Sequence, residues 1–175
     1  MSAPRPVEAT SGDMLDMGRT GTIRSINLSP GGVPKNGVRD AVVSRLGLVG
    51  DAHKDTEGHG GPERAICIYS LEVIGLLQRE GHPIDVGTAG ENLTLEGINW
   101  DLLIPGARIR CGDVVELEVA SFTSPCKTIK ASFIDGHFKR ISQKVNPGWS
   151  RVYARVLAEG RISRGDCVEV ISPGL

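Results

Sequence analysis

The hydrophobic pattern is that of short strands. Val115, Leu117 and Val119 alternate with Glu116 and Glu118, a two-residue period that predicts a half-buried strand. Residues 22–28 predict an opening strand, turned by Ser29-Pro30-Gly31-Gly32, and residues 38–43 predict another. Residues 46–61 are rich in Gly, Asp and His with little apolar periodicity, and predict loop. The apolar run 65–69 has strand length. Ser70 then stands where a helix N-cap would, before Leu71, Ile74 and Leu77 on one face of a helix over 71–79 that Gly81 ends. Further strands are predicted at 92–95, 102–104 and 107–111, at 152–156 where Val152, Ala154 and Val156 alternate, and at 167–171. Residues 131–145, with Phe133, Phe138 and Ile141, fit either a short helix or an irregular excursion. The fold expected is mainly β: a closed or partly open barrel, with one short helix after the third strand and short helical excursions. One domain is expected over 20–172, with 1–19 as a flexible, polar tail.

Composition sharpens this picture. At 175 residues the chain has the length of one domain, and 23 glycines with 10 prolines supply the many turns of a β-rich fold. A net charge of −1 argues against general binding to nucleic acid or to an anionic membrane. No stretch approaches the roughly 20 apolar residues of a membrane span, and the N-terminus lacks the apolar segment of a secretory signal. The four cysteines form no C-x-x-C pair and have no zinc-type His spacing. Cys67, Cys111 and Cys167 lie in apolar, strand-like runs and are expected to be buried. A reduced, cytoplasmic protein is the expectation.

Cys126 differs from the other thiols. It follows a strand end in Ser124-Pro125-Cys126-Lys127, where Pro125 stiffens the loop and the Lys127 cation favours thiolate. A thiolate there can attack electrophiles, carry sulfur or ligate a soft metal; the alternative is a loop cysteine that only packs. The run from Gly58 to Arg64 includes Gly60 and Gly61. It lets the backbone approach an anion, with Lys54 and Arg64 to supply charge, or it is simply a hairpin loop. Asp51, His53 and Asp55 alternate in an extended segment with His59 close behind, a metal or proton-transfer cluster unless the carboxylates merely hold the loop backbone. The Asn92 amide, after Gly90-Glu91, can read the edge of a heterocycle or can sit in a turn. Arg151, Tyr153 and Arg155 share one strand face, suited to a phosphate or carboxylate, or to solvent.

The order of these segments is more specific than any one of them. Gly50-Asp51-Ala52-His53, His59-Gly60-Gly61-Pro62, Gly90-Glu91-Asn92-Leu93, Pro125-Cys126, Gly148-Trp149-Ser150-Arg151 and Gly165-Asp166 together resemble the MOSC domain family, named after the C-terminal domain of molybdenum cofactor sulfurases. The resemblance covers about 22–171. It departs from the family at Pro105-Gly106-Ala107, where many members place Gly-Asp.

The resemblance implies a β-barrel that binds molybdenum cofactor (molybdopterin) or handles sulfur. It puts the family's functional cysteine at Cys126, either as protein ligand to the metal or as carrier of a persulfide. Lys54, Gly60, Gly61, Arg64, Asn92, Lys127, Arg151 and Arg155 would bind the cofactor, with Asn92 on the pterin edge. Asp51, His53 or His59 would supply a proton. Some stand-alone members reduce N-hydroxylated compounds with electrons from partner proteins. The expected function is therefore an oxidoreductase component acting on N-oxygenated small molecules. A sulfur carrier or sulfurtransferase is one alternative, and a non-catalytic cofactor-delivery or protein-interaction module is another. The chain carries no flavin, haem or ferredoxin-type module, so a redox role calls for an external electron donor protein, and a sulfur role for a sulfur donor.

Overall fold

The computed structural model describes residues 17–52 and 60–174. Eleven strands alternate with short helical turns among these residues: β1 (Thr20–Leu28), β2 (Asn36–Val38), β3 (Asp40–Ser44), β4 (Gly47–Leu48), β5 (Ile66–Ser70), β6 (Leu93–Glu96), β7 (Arg108–Cys111), β8 (Val115–Phe122), β9 (Val152–Ala158), β10 (Gly160–Ser163) and β11 (Cys167–Ser172). The strand order is β11-β7-β8-β9-β5-β6-β1, and β1 also pairs with β11, so seven strands close into a barrel. All its pairings are antiparallel except β5 with β6. Strand β2 extends the sheet beyond β1, and β10, β3 and β4 form a small second sheet.

The alternation read from the sequence sets the two sides of the wall. Val115, Leu117 and Val119 are buried in the barrel core with Ile23, Ile68, Leu95 and Ile109. Between them, Glu116 and Glu118 point outward and pair with Arg110 and Arg108 across the sheet. In β11, Val168 and Val170 take the inner positions, which leaves Cys167 outside and exposed, contrary to expectation. Cys67 and Cys111 are buried as expected.

Strand β5 is buried on both sides. Ile66 and Ile68 belong to the barrel core, while Tyr69 belongs to a second cluster outside it. Helix α1 (Leu71–Arg79) brings Val73, Ile74 and Leu77 onto Tyr69. Its start is capped as the sequence predicts, with the Ser70 hydroxyl accepting from the Val73 N–H. Its end is a Schellman turn: Gly81 takes φ 95°, its N–H donates to the Gln78 carbonyl, and the His82 N–H donates to the Leu77 carbonyl. The ambiguous stretch resolves as three 3-10 turns, Lys127–Ser132, Ile134–Gly136 and Phe138–Ile141, which complete the cluster with Ile129, Phe133 and Ile141.

Three expectations change. The helix follows the fifth strand, because the single strand expected at 38–43 is two. Strand β2 stays with β1, whereas β3 leaves the barrel wall for β10, and the Gly47–Leu48 strand was not expected. Residues 102–104 form no strand. The Asn99 side chain accepts from the Asp101 N–H and starts a 3-10 turn, Trp100–Leu102. Leu103 is buried from that turn rather than from a sheet, so a core residue in a turn imitated a strand pattern. Of the expected tail, residues 1–16 lie outside the described residues. Among the described residues, no helix is long and apolar enough to cross a membrane.

Leu77 is fully buried between α1 and the 3-10 turns, and Leu76 beside it is 40% exposed. Leu77→Ala is expected to cost about 3 kcal/mol, by transfer and cavity terms, and Leu76→Ala less than about 1 kcal/mol. Urea unfolding of the two variants checks this; equal costs would mean that α1 does not seat the second cluster.

Candidate functional site

Strand β8 runs to Phe122 beside β9, and the Thr123 N–H still donates to the Arg151 carbonyl at 3.0 Å. Pro125 follows, and Cys126 heads the turn Lys127–Ser132 in an extended conformation. The Cys126 thiol is half-buried and donates to the Thr128 hydroxyl at 3.2 Å. The other thiols differ. Burial pushes Cys67 up to about 11 and Cys111 up to about 12, so both stay protonated at neutral pH. Cys167 is exposed, but at the other end of the wall: Cys111 pairs with Val115 and Val168, which sets the start of β11 level with the start of β8.

Polar side chains stand on the strand beside this end of β8. Tyr153 on β9 stands opposite Cys67 on β5. The Arg64 guanidinium lies 5.7 Å from the centre of the Tyr153 ring. Burial pushes the Tyr153 phenol up to about 12, and Cys67, Arg151, Arg64 and Cys126 are all near enough to act on it electrostatically. Arg151 is itself buried. One of its terminal nitrogens donates to the Ala89 carbonyl, and its Nε has no partner among the described residues. Of the residues expected from the sequence, Arg64 reaches the Tyr153 ring, Arg151 immediately precedes β9, and Cys126 lies beyond the adjoining end of β8. Gly60 and Gly61 adopt φ 95° and 82°, left-handed values that suit glycine, and Gly61 opens the 3-10 turn Pro62–Arg64. Lys127 is exposed at the head of its turn. His53, Lys54 and His59 lie outside the described residues.

Three expected site residues hold the scaffold instead. Asp51 is buried against Lys35, whose Nζ lies 2.7 Å from both carboxylate oxygens. It also accepts from the Ser29 N–H and the Asn92 amide, so it has no oxygen left for proton transfer. Asn92 uses its own polar atoms internally: Oδ1 accepts from the Cys67 N–H, and Nδ2 donates to Asp51 and to the Asn27 carbonyl. It presents no free edge to a heterocycle. Arg155 is held by Glu63 at 2.8 Å and Glu118 at 3.2 Å, so it offers no unpaired charge to an anion. Lys35 and Thr128 carried no motif signal, because each depends on a neighbour that only folding supplies.

The MOSC domain matches residues 55–169. The chain belongs to the MOSC domain family. It is 30% identical to YflK of Bacillus subtilis over 145 residues, 82% of this chain and 64% of that one. It is 30% identical to YiiM of Escherichia coli over 138 residues, 76% of this chain and 60% of that one. It therefore spans less than two thirds of the length of either relative. The crystal structure of YiiM from Geobacillus stearothermophilus superposes with a TM-score of 0.65 at 26% identity, covering 86% of this chain and 75% of that one. The YUAD protein of Bacillus subtilis shares the fold with a TM-score of 0.65 at 19% identity, covering 89% of this chain and 97% of that one.

In this MOSC domain the Cys126–Thr128 contact makes a kinetic prediction. The thiol donates to Thr128 in the structure; once Cys126 attacks as a thiolate the same hydroxyl turns to donate to it, a hydrogen bond to a charged group worth about 1.5 kcal/mol, or roughly tenfold. Thr128→Val is expected to slow alkylation of Cys126 by iodoacetamide at neutral pH by about that factor, and Thr128→Ser to restore it, as read by peptide mass. Equal rates in all three would show that the hydroxyl does not assist the thiolate.

Glu91 makes a pH prediction. Its carboxyl is fully buried. Oε1 accepts from the Gly87 N–H and the Thr94 hydroxyl, and Oε2 has no partner among the described residues. Burial raises it above the ordinary 4.5, outweighing those hydrogen bonds and Arg151. The folded state therefore keeps this proton after the unfolded chain has lost it. The resulting stability is whole below about 4.5 and falls as pH rises through the folded value. Glu91→Gln removes that slope. Relative to wild type, its stability is expected to rise between pH 5 and pH 8, measured by urea unfolding at each pH; a parallel pair of profiles would contradict it.

Proposed function

We propose that this protein binds the molybdenum cofactor through Cys126 and acts as an oxidoreductase component that removes oxygen from N-oxygenated small molecules. The observation that carries this reading is a half-buried thiol three residues beyond the Thr123–Arg151 backbone bond, with the Arg151 guanidinium buried and its Nε without a partner among the described residues. A thiolate is the soft donor that such a metal takes, and an unsatisfied buried guanidinium suits the pterin's phosphate. When bound, the cofactor supplies two-electron chemistry. Cys126 holds the metal from the protein side, with Thr128 fixing the direction of its sulfur. Arg151 and Arg64 meet the phosphate, and Gly60 and Gly61 keep the adjoining backbone open. The Tyr153 phenol, protonated at neutral pH, holds a proton beside this centre. The overall change breaks the N–O bond, takes up two electrons and two protons, and releases the amine and water. The electrons come from an external donor protein.

Elemental analysis for molybdenum, with pterin fluorescence after oxidation, tests the reading on protein purified under mild conditions. Wild type is expected to carry both and Cys126→Ser to lose the metal. Wild type carrying sulfane sulfur at Cys126 and no molybdenum would replace this reading with a persulfide carrier.

A further inference from the structure

The net charge of −1 hides a local excess. Residues 127–144 hold five cations, Lys127, Lys130, Lys139, Arg140 and Lys144, against the single anion Asp135, a net +4; fifteen cations against twenty anions leave the remainder at −5. Arg140 is engaged by Glu80 at 2.6 Å and lies 3.8 Å over the Trp149 ring. The four lysines are exposed and make no ion pair within the described residues. The charge serves no internal structure, yet the segment is firmly seated: Ile129, Phe133 and Ile141 bury its other side.

The lysines frame an apolar centre. A depression of about 430 Å³ is lined by His137, Phe138, Lys139 and Val145. Lys130 borders it, its Cβ lying 3.6 Å from where a side chain on Gly136 would begin. Lys144 adjoins Val145, which is 62% exposed, and Ile134 is 43% exposed. An apolar centre within a charged rim is the anatomy of a protein interface. The same segment begins directly after Cys126.

We infer that this face docks a carboxylate-rich electron-carrier protein. The inference rests on the reductive reading above, which takes its electrons from such a donor. Electron-transfer encounters are small, weak and steered by charge, which a ring of lysines around a shallow depression suits. Nucleic acid fits less well: Arg140 covers the Trp149 ring, Phe138 is half-buried, and the net −5 of the remainder opposes a polyanion extending beyond this face.

The test uses the purified full chain, with or without cofactor, and a plant-type [2Fe–2S] ferredoxin as the acidic probe. Calorimetry or surface binding is run for wild type and for Lys130→Glu/Lys139→Glu/Lys144→Glu, which leaves Lys127 and Cys126 untouched. Wild type is expected to bind at low salt and to weaken about tenfold or more from about 20 to about 200 mM salt, and the reversed triple is expected to lose about tenfold or more at low salt. Reversing Arg161 and Arg164, outside this segment, is expected to change affinity less than about twofold. Absence of ferredoxin binding at low salt, or equal binding by the triple variant, overturns the inference. So does tighter binding of a single-stranded oligonucleotide or of phosphatidylserine vesicles than of ferredoxin. Circular dichroism of the triple variant confirms its fold. Because docking is read without turnover, its loss is separable from failure of the cofactor reading, which the molybdenum content reports.

Discussion

The position of the candidate site depends on one strand having no solvent side. All five residues of β5 are buried. Ile66 and Ile68 fill the barrel, so Cys67 and Tyr69 must be covered from without. That demand holds α1 and the three 3-10 turns against the wall. The Tyr69 hydroxyl donates to the Trp149 carbonyl at 2.7 Å, and the Trp100 indole to the Ser150 carbonyl at 3.1 Å, which ties the approach to β9 to the same cluster. Cys126 and Arg151 are anchored at the two edges of that cover. Cys126 thereby leads into a packed turn while its thiol stays half-buried.

Electrostatics divides the charged residues into scaffold and site. Lys35 and Asp51 are both buried and fully bonded, and breaking such a pair by removing one partner typically costs about 3–5 kcal/mol. Arg155, Glu118 and Arg108 form a ladder across the outer wall. Lys35 and Asp51 are spent on each other, and the terminal nitrogens of Arg155 are held by Glu63 and Glu118, although its Nε, like that of Arg151, is unanswered among the described residues. Arg151 differs in being buried with a carbonyl, that of Ala89, rather than a carboxylate as its partner.

Much of the barrel was legible because periodicity reports burial directly. The alternation in β8 and β9, the Ser70 cap and the Gly81 stop each follow from local chemistry, and each stands as expected. Misreadings arose where a residue's partner lies far away in sequence. Asp51 and Asn92 looked like chemistry because polar residues beside glycine mark sites and buried hydrogen-bond hubs alike; only the 41-residue separation closed by their 2.8 Å contact tells the two apart. Cys167 looked buried because its neighbours are, although its place in the alternation puts it outside. The MOSC motifs singled out Cys126, but they could not show that Thr128 is its partner.

On the proposed function, Cys126 would add one protein sulfur to the metal's shell. X-ray absorption at the molybdenum edge counts sulfur neighbours directly, in wild type and in Cys126→Ser protein reconstituted with the cofactor. One more sulfur neighbour is expected in wild type than in the variant. The same sulfur shell in both proteins would contradict it, since the metal would then be held by the pterin alone.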